Sequence, residues 1–141
     1  MAIKNVFAET QALKANIENL SVEDLTEELA HHDKHLLVDL REIQELVDAG
    51  TIPGAVHVPR GMLEFWADPA SPYFRDYFQE DTRIVVFCAG GGRSVYATLA
   101  LQEMGYTDVA HLEAGFRGWK EAQMPVKDFA ATSKWIRRPK D

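Results

Sequence analysis

The sequence predicts an α/β domain with a central parallel sheet, helices on both faces and an extra helix at the N-terminus. Short apolar runs rich in β-branched residues alternate along the chain with stretches of helical spacing, and that alternation is typical of a parallel sheet. The chain has 141 residues, of which 46% are hydrophobic and 26% charged, as in one soluble globular domain. No apolar run reaches the length of a membrane span, and the first residues lack the apolar core of a signal peptide.

The N-terminal region predicts two helices. Residues 4–19 place apolar side chains at loosely helical spacing, which indicates an amphipathic helix packed on the domain or on a second copy. A second helix follows Ser21, whose hydroxyl stands three residues before Asp24 in the pattern of a capping box. His31 and His35 are four apart, but no cysteine or well-placed carboxylate completes a ligand set, so we expect a polar connection there and no metal site.

The next elements are a buried strand, a helix and a short second strand. An apolar run leads into Asp39, at the carboxyl end of the first buried strand. A helix over residues 42–49 follows, and Gly50 ends it. Residues 51–59 predict a turn and a short strand between two prolines. Residues 60–82 are rich in aromatics and proline, and they predict two short helical turns that cover the core or roof the site; a core role is favoured.

The most informative stretch is the run that ends on Cys88. An apolar strand over residues 83–87 leads to the thiol, four small residues follow, and a helix begins at Arg93 and Ser94. Glycines let the backbone turn its N–H groups inward, while the helix N-terminus and the Arg93 guanidinium favour an anion at sulfur. The pattern therefore favours a cradle for a thiolate over a small buried cysteine. Because neighbouring parallel strands end at one edge, we expect Asp39 to lie near Cys88 and Arg93.

The last third of the chain predicts one more strand and one more helix. The helix after the thiol ends near Gly105, and residues 109–112 form a short strand. A further helix turns Phe116 and Trp119 inward, and Pro125 closes it.

The single cysteine and the charge distribution limit the classes of function. One cysteine excludes an internal disulfide and leaves a free thiol, which favours a reducing, cytoplasmic setting. The net charge is −7, and residues 1–50 account for it, with 4 basic against 11 acidic side chains. Neither nucleic acid nor a membrane is therefore an expected partner. The basic residues that do cluster stand in the tail, which we expect to be solvated: Lys134, Arg137, Arg138 and Lys140.

Three motifs stand in order along the chain: LLVDLRE (36–42) with GTIPGA (50–55), CAGGGRS (88–94) and LEAGFRGW (112–119). In this order and spacing they resemble the single-domain rhodaneses, a family of sulfurtransferases. The resemblance implies a rhodanese-like domain over residues 21–126. An N-terminal helical extension would then occupy residues 1–20 and a basic tail residues 127–141.

The resemblance also implies a catalytic role for Cys88. The thiol would take a sulfane sulfur from a small-molecule donor such as thiosulfate, hold it as a persulfide and pass it to cyanide, a thiol or a protein acceptor, with no cofactor. Backbone amides of the active-site loop would stabilise the sulfur anion. That loop consists of Ala89, Gly90, Gly91, Gly92, Arg93 and Ser94.

Charged residues around the loop receive supporting roles by the same resemblance. Arg93, together with Ser94, would hold the anionic group of the donor. Asp39 would orient Arg93 or Arg41 through a charge-assisted hydrogen bond, or would simply cap the end of its strand.

Other functions stay open at the level of sequence. A persulfide carrier or binding module for protein partners would use the same thiol, with the acidic N-terminal helices as its docking face. A cysteine phosphatase or arsenate reductase would need five residues between the cysteine and the arginine, and this loop has four. Regulatory rhodanese domains commonly lack the nucleophile, which Cys88 supplies here. The loop also lacks the Gly-Ser/Thr-Gly-Val pattern of mercaptopyruvate-using relatives, which favours thiosulfate.

Overall fold

The computed structural model describes residues 2–31 and 34–132, with a five-stranded parallel sheet at the centre. Across the sheet the strand order is first, fifth, fourth, second, third, and every neighbouring pair is parallel. The predicted parallel α/β fold is therefore confirmed. The strands are β1 (Glu18–Leu20), β2 (His35–Asp39), β3 (Val56–His57), β4 (Arg83–Phe87) and β5 (Val109–Leu112).

Helices connect these strands and cover both faces of the sheet. They are α1 (Val6–Leu13), α2 (Val22–His31), α3 (Ile43–Ala49), α4 (Leu63–Ala67), α5 (Arg93–Met104), α6 (Gly115–Glu121) and α7 (Phe129–Thr132). Within residues 2–31 and 34–132, none of the helices has both the length and the apolar character needed to cross a membrane. The basic cluster predicted for the tail lies outside the described residues.

Alternate side chains of the central strands enter two separate cores. One core contains Leu36, Val38, Ile84 and Val86 and packs against α4 and α5. The other contains Leu37, Val85 and Phe87 and packs against α2 and α6. Because both faces of the sheet are covered, the central strands are apolar on both sides, which explains their continuous hydrophobic runs.

The N-terminal extension differs from the single helix predicted over residues 4–19. Its helix ends at Leu13, a 3₁₀ turn covers Lys14–Asn16, and the next residues form β1, the edge strand beside β5. Glu18 is fixed there by the Arg83 guanidinium, at 2.8 Å, and Leu20 is buried. The helix prediction failed at this end because pairing with a distant strand satisfies the backbone of these three residues, and no local pattern announces such pairing.

The helix boundaries farther along the chain follow the predicted signals. Ser21 and Asp24 form the reciprocal capping box, with N–H···O distances of 2.9 and 3.0 Å. The helix α3 ends at Gly50, whose φ of +82° favours glycine, and a Cβ there would approach the Lys127 carbonyl oxygen to 2.7 Å. Gly105 ends α5 in the left-handed region.

The aromatic segment over residues 60–82 contributes to the core. It begins with a 3₁₀ turn at Arg60–Met62 and α4, then continues in turns, and its Phe78 is fully buried. Trp66, Phe74 and Tyr77 are half-buried against the same core. None of these side chains lines the cleft at Cys88, so this segment covers the core and does not roof the site.

Candidate active site

Cys88 lies directly after β4, at the carboxyl edge of the sheet and at the floor of a cleft. The residue is only 1% exposed, yet it lines a cavity of about 660 Å³. The predicted loop, from Ala89 to Arg93, forms one wall of that cavity. The opposite wall comes from α1 and the turn after it: Val6, Phe7, Thr10, Gln11 and Lys14.

The loop is held in a conformation that points an amide at the sulfur. The Gly91 N–H donates to Cys88 Sγ at 3.2 Å, and Gly91 has a φ of +95°. A Cβ at this position would lie 2.3 Å from the carbonyl oxygen of Glu113, so the loop closes against the chain after β5 with no room for a side chain.

The carbonyl groups of the loop point the other way, toward α6. The Phe116 N–H donates to the Cys88 carbonyl at 2.8 Å, and the Arg117 N–H donates to the Ala89 carbonyl at 3.0 Å. Gly115, with a φ of +66°, permits this contact because a Cβ there would lie 2.3 Å from the Ala89 oxygen. The third sequence motif thus serves to fix the cysteine loop.

Arg93 begins α5 at the edge of the cleft, and a carboxylate that the sequence did not suggest orients it. Glu45 of α3 accepts two hydrogen bonds from the guanidinium, at 2.8 and 3.0 Å. These bonds raise the pKa of Arg93 and lower that of Glu45, and Cys88 raises the pKa of Arg93 further. The arginine therefore stays charged beside the sulfur.

Asp39 pairs with Arg41, which is one of the two partners predicted for it. Its carboxylate accepts bonds from Arg41 Nε at 3.0 Å, from Arg41 Nη2 at 2.8 Å and from the Thr51 hydroxyl at 2.7 Å. Arg41 is buried, with its guanidinium 4.1 Å from the centre of the Phe116 ring. The pair joins the end of β2 to the chain after α3 and to α6, and neither member lines the cleft.

Ser94 does not face the cleft, contrary to the expectation that it would hold the donor together with Arg93. Its side chain is fully buried, 3.6 Å from Cys88 Sγ and 2.8 Å from His111 Nδ1. His111 is also buried, and that burial lowers its pKa to about 4. His111 was not predicted from the sequence; the available signal is one polar residue inside the apolar run of β5.

Two further cations border the cleft. Lys14 lines it from the turn after α1, where its Nζ lies 3.6 Å from a Glu113 oxygen. Arg117 lines it from α6, is exposed and forms no ion pair with any described residue. Of the three cations that line the cleft, Arg93 and Lys14 stand against Glu45 and Glu113, which leaves Arg117 as the one with no carboxylate partner among the described residues.

The helix α1 is tied to the domain beside the cleft. The Tyr96 hydroxyl of α5 donates to Glu9 at 2.6 Å, and Lys4 bonds the same carboxylate at 2.9 Å. Phe7 nevertheless stays 83% exposed at the rim of the cleft. Another cavity of about 730 Å³ lies near Tyr106 and Asp68, but no cysteine, serine or threonine lines it. In residues 2–31 and 34–132, no three His, Cys, Asp or Glu side chains are grouped so that they could hold a metal ion.

Comparison with known proteins gives the class of this chain. A family model described as Rhodanese-like domain matches residues 21–122. The chain therefore belongs to the rhodanese-like domain family, as its motifs suggested.

Two relatives and one solved structure are similar to this chain over most of their length. The chain is 32% identical to the human thiosulfate:glutathione sulfurtransferase over 62% of its own length and 80% of the relative's. It is 28% identical to a sulfurtransferase from Allochromatium vinosum, over 78% and 94%. A solved structure from Rhodopseudomonas palustris, a protein of unknown function and possible tyrosine phosphatase, superposes with a TM-score of 0.84 at 38% identity, over 90% and 97%. The two sulfurtransferases support sulfur transfer of the rhodanese type in general.

Proposed function

We propose that the protein is a sulfurtransferase that carries sulfur as a persulfide on Cys88. The Cys88 thiolate attacks the outer sulfur of thiosulfate; a new S–S bond forms, the bond to the sulfite sulfur breaks, and sulfite leaves with its electron pair. An acceptor thiolate or cyanide then attacks the terminal sulfur, and Cys88 leaves as a thiolate. Both half-reactions displace at sulfur, so they require no net oxidant and no cofactor.

The environment of Cys88 is the observation that carries this proposal. The Gly91 N–H donates a hydrogen bond to the sulfur, and three cations line the same cleft: Arg93, Lys14 and Arg117. Fixed N–H dipoles stabilise negative charge on sulfur, and the cations favour anionic donors such as thiosulfate. Arg117, which has no ion-pair partner among the described residues, is the cation most available to a donor.

A phosphatase is the competing enzyme, since the Rhodopseudomonas neighbour carries that suggestion. The loop argues against it. Only four residues separate Cys88 from Arg93, and the Gly91 N–H is directed at the sulfur itself. A loop of this length suits a sulfur anion better than a phosphoryl group.

A persulfide carrier for protein partners is the second candidate, favoured by the exposed Phe7 at the rim of the cleft. A docked protein would cover this ring, whereas a small acceptor would not need it. Substituting Phe7→Ser is a cleaner probe than removing residues 1–20, because residues 18–20 form a strand of the sheet.

Steady-state turnover tests the enzymatic proposal. We expect sulfur transfer from thiosulfate to cyanide or to a small thiol, no hydrolysis of an aryl phosphate, and no transfer by Cys88→Ser. Rapid transfer to these small acceptors would support the enzyme, whereas a persulfide that forms but passes its sulfur to them only slowly would support the carrier. Phosphate release without sulfur transfer would instead establish the phosphatase. The free thiol fits a reducing, cytoplasmic setting.

A further inference from the structure

A buried chain of hydrogen bonds connects the nucleophile to the N-terminal strand. Cys88 Sγ lies 3.6 Å from Ser94 Oγ, which lies 2.8 Å from His111 Nδ1. On the far side of the ring, His111 Nε2 lies 2.7 Å from Asn19 Oδ1. Cys88, Ser94 and His111 are at most 1% exposed, so water does not compete for these contacts.

The Asn19 side chain, at the far end of this series of hydrogen bonds, determines where the hydrogens lie. The Asn19 amide nitrogen donates to the carbonyls of Lys14 and Ile17, at 2.9 and 3.1 Å, so its oxygen is the atom that faces His111. His111 Nε2 therefore carries a hydrogen and Nδ1 accepts one. Ser94 donates its hydroxyl hydrogen to Nδ1, and its oxygen is free to accept the thiol hydrogen of Cys88.

Ionisation of Cys88 has two possible consequences for this chain. If the thiol proton simply leaves, the thiolate keeps the Gly91 N–H as a donor, but the thiolate and Nδ1 compete for the single Ser94 hydrogen. If the proton stays in the chain, every group is satisfied: the S–H bond breaks as a bond to Ser94 Oγ forms, and the hydroxyl proton moves to Nδ1. The second state pairs a thiolate with an imidazolium.

We propose that Cys88 shares one proton with His111 through the Ser94 hydroxyl, so that Ser94 and His111 are positioning residues that supply the thiolate for sulfur transfer. The inference rests on the proposed function, which it deepens. It also gives the N-terminal strand a role, because Asn19 fixes the tautomer that makes Nδ1 the acceptor.

The surroundings of His111 keep its imidazole mostly neutral in the free protein. Burial is the first cause of its low pKa, and Lys14 lowers that pKa further, while Glu113 acts in the opposite direction. Near the sulfur, Arg93 favours the thiolate. The ion pair is therefore a minor population, and it forms without exchange of a proton with solvent.

The pH dependence of alkylation distinguishes a shared proton from an ordinary thiol. Cys88 is the sole cysteine of the chain, so iodoacetamide reports on it alone. An unshared thiol with the ordinary pKa of about 8.5 loses about 30-fold in rate between pH 6.5 and pH 5, because each pH unit below that pKa changes the thiolate fraction tenfold. We expect the wild-type protein to lose less than threefold, since the pair holds one proton throughout this range.

Variants that break this series of hydrogen bonds should restore the pH dependence of an ordinary thiol. Ser94→Ala breaks the connection, and His111→Asn keeps an acceptor near the position of Nδ1 but cannot be protonated; we expect about 30-fold loss in both. Thr98→Val is the matched control, because it removes a buried hydroxyl that bonds the Ser94 carbonyl without touching Cys88. We expect it to keep the flat profile.

Histidine NMR gives a second measurement that does not depend on folding of a variant. We expect the His111 ¹⁵N shifts of wild-type protein to show the Nε2–H tautomer. A 30-fold fall in wild-type alkylation, or an Nδ1–H tautomer, would overturn the shared proton. Persulfide formation from thiosulfate in the same sample would then show that the proposed function still stands; absence of that persulfide would overturn the function separately.

Discussion

The low pKa of His111 makes the fold sensitive to mild acid. The unfolded chain takes up a proton on this residue below its ordinary pKa of 6.5, whereas the folded protein resists protonation until about 4. The unfolded state therefore binds more protons in this window, and stability falls as the pH drops from 6.5 toward 4. Between pH 7 and pH 5 the expected loss from this one residue is about 2 kcal/mol.

Urea unfolding at both pH values, followed by circular dichroism under reducing conditions, measures the effect. His111→Asn has no group to titrate, so its stability should fall by about 2 kcal/mol less than that of the wild type. Carboxylates with lowered pKa values, such as Glu45 and Glu18, also lose stability in acid, but they are present in both proteins and cancel. Equal losses in the two proteins would refute the buried, neutral histidine.

Three other substitutions test separate parts of the account. Glu45→Gln weakens the hold on Arg93, and we expect a several-fold higher KM for thiosulfate with the fold unchanged, measured by steady-state kinetics. Gly91→Ala places a Cβ against the Glu113 carbonyl, so persulfide formation should slow by about 100-fold or more in stopped-flow assays while the circular dichroism spectrum stays native. Arg83→Met removes the cation that joins β1 to α2, and urea unfolding should show a loss of about 2 kcal/mol. Unchanged values in any of these assays would contradict the corresponding contact.

Local patterns predicted most of the fold because its strands and helices carry their own signals. The apolar runs before Asp39 and Cys88 are buried on both faces, and Gly50 and Gly105 mark helix ends by their backbone conformation. The strand β1 carries no comparable signal. Its three residues become a strand because β5 offers free backbone groups at the edge of the sheet, and that pairing joins positions about ninety residues apart.

The candidate site likewise has a part that local sequence patterns predict and a part that they do not. The Cys88 loop could be predicted because its nucleophile, glycines and arginine are contiguous in the sequence. Glu45 and His111 reach the loop from other elements, and nothing in the spacing of the chain announces either contact. Ser94 was assigned to the donor for the same reason: the sequence shows that it follows Arg93, but only packing decides that its hydroxyl turns inward.

Intact-mass spectrometry tests the central claim most directly. The reduced protein is weighed before and after incubation with thiosulfate, and again after cyanide. We predict a gain of one sulfur atom that cyanide removes, and no gain in Cys88→Ser. No gain in a wild-type protein whose thiol still reacts with iodoacetamide would contradict a thiosulfate-derived persulfide on Cys88.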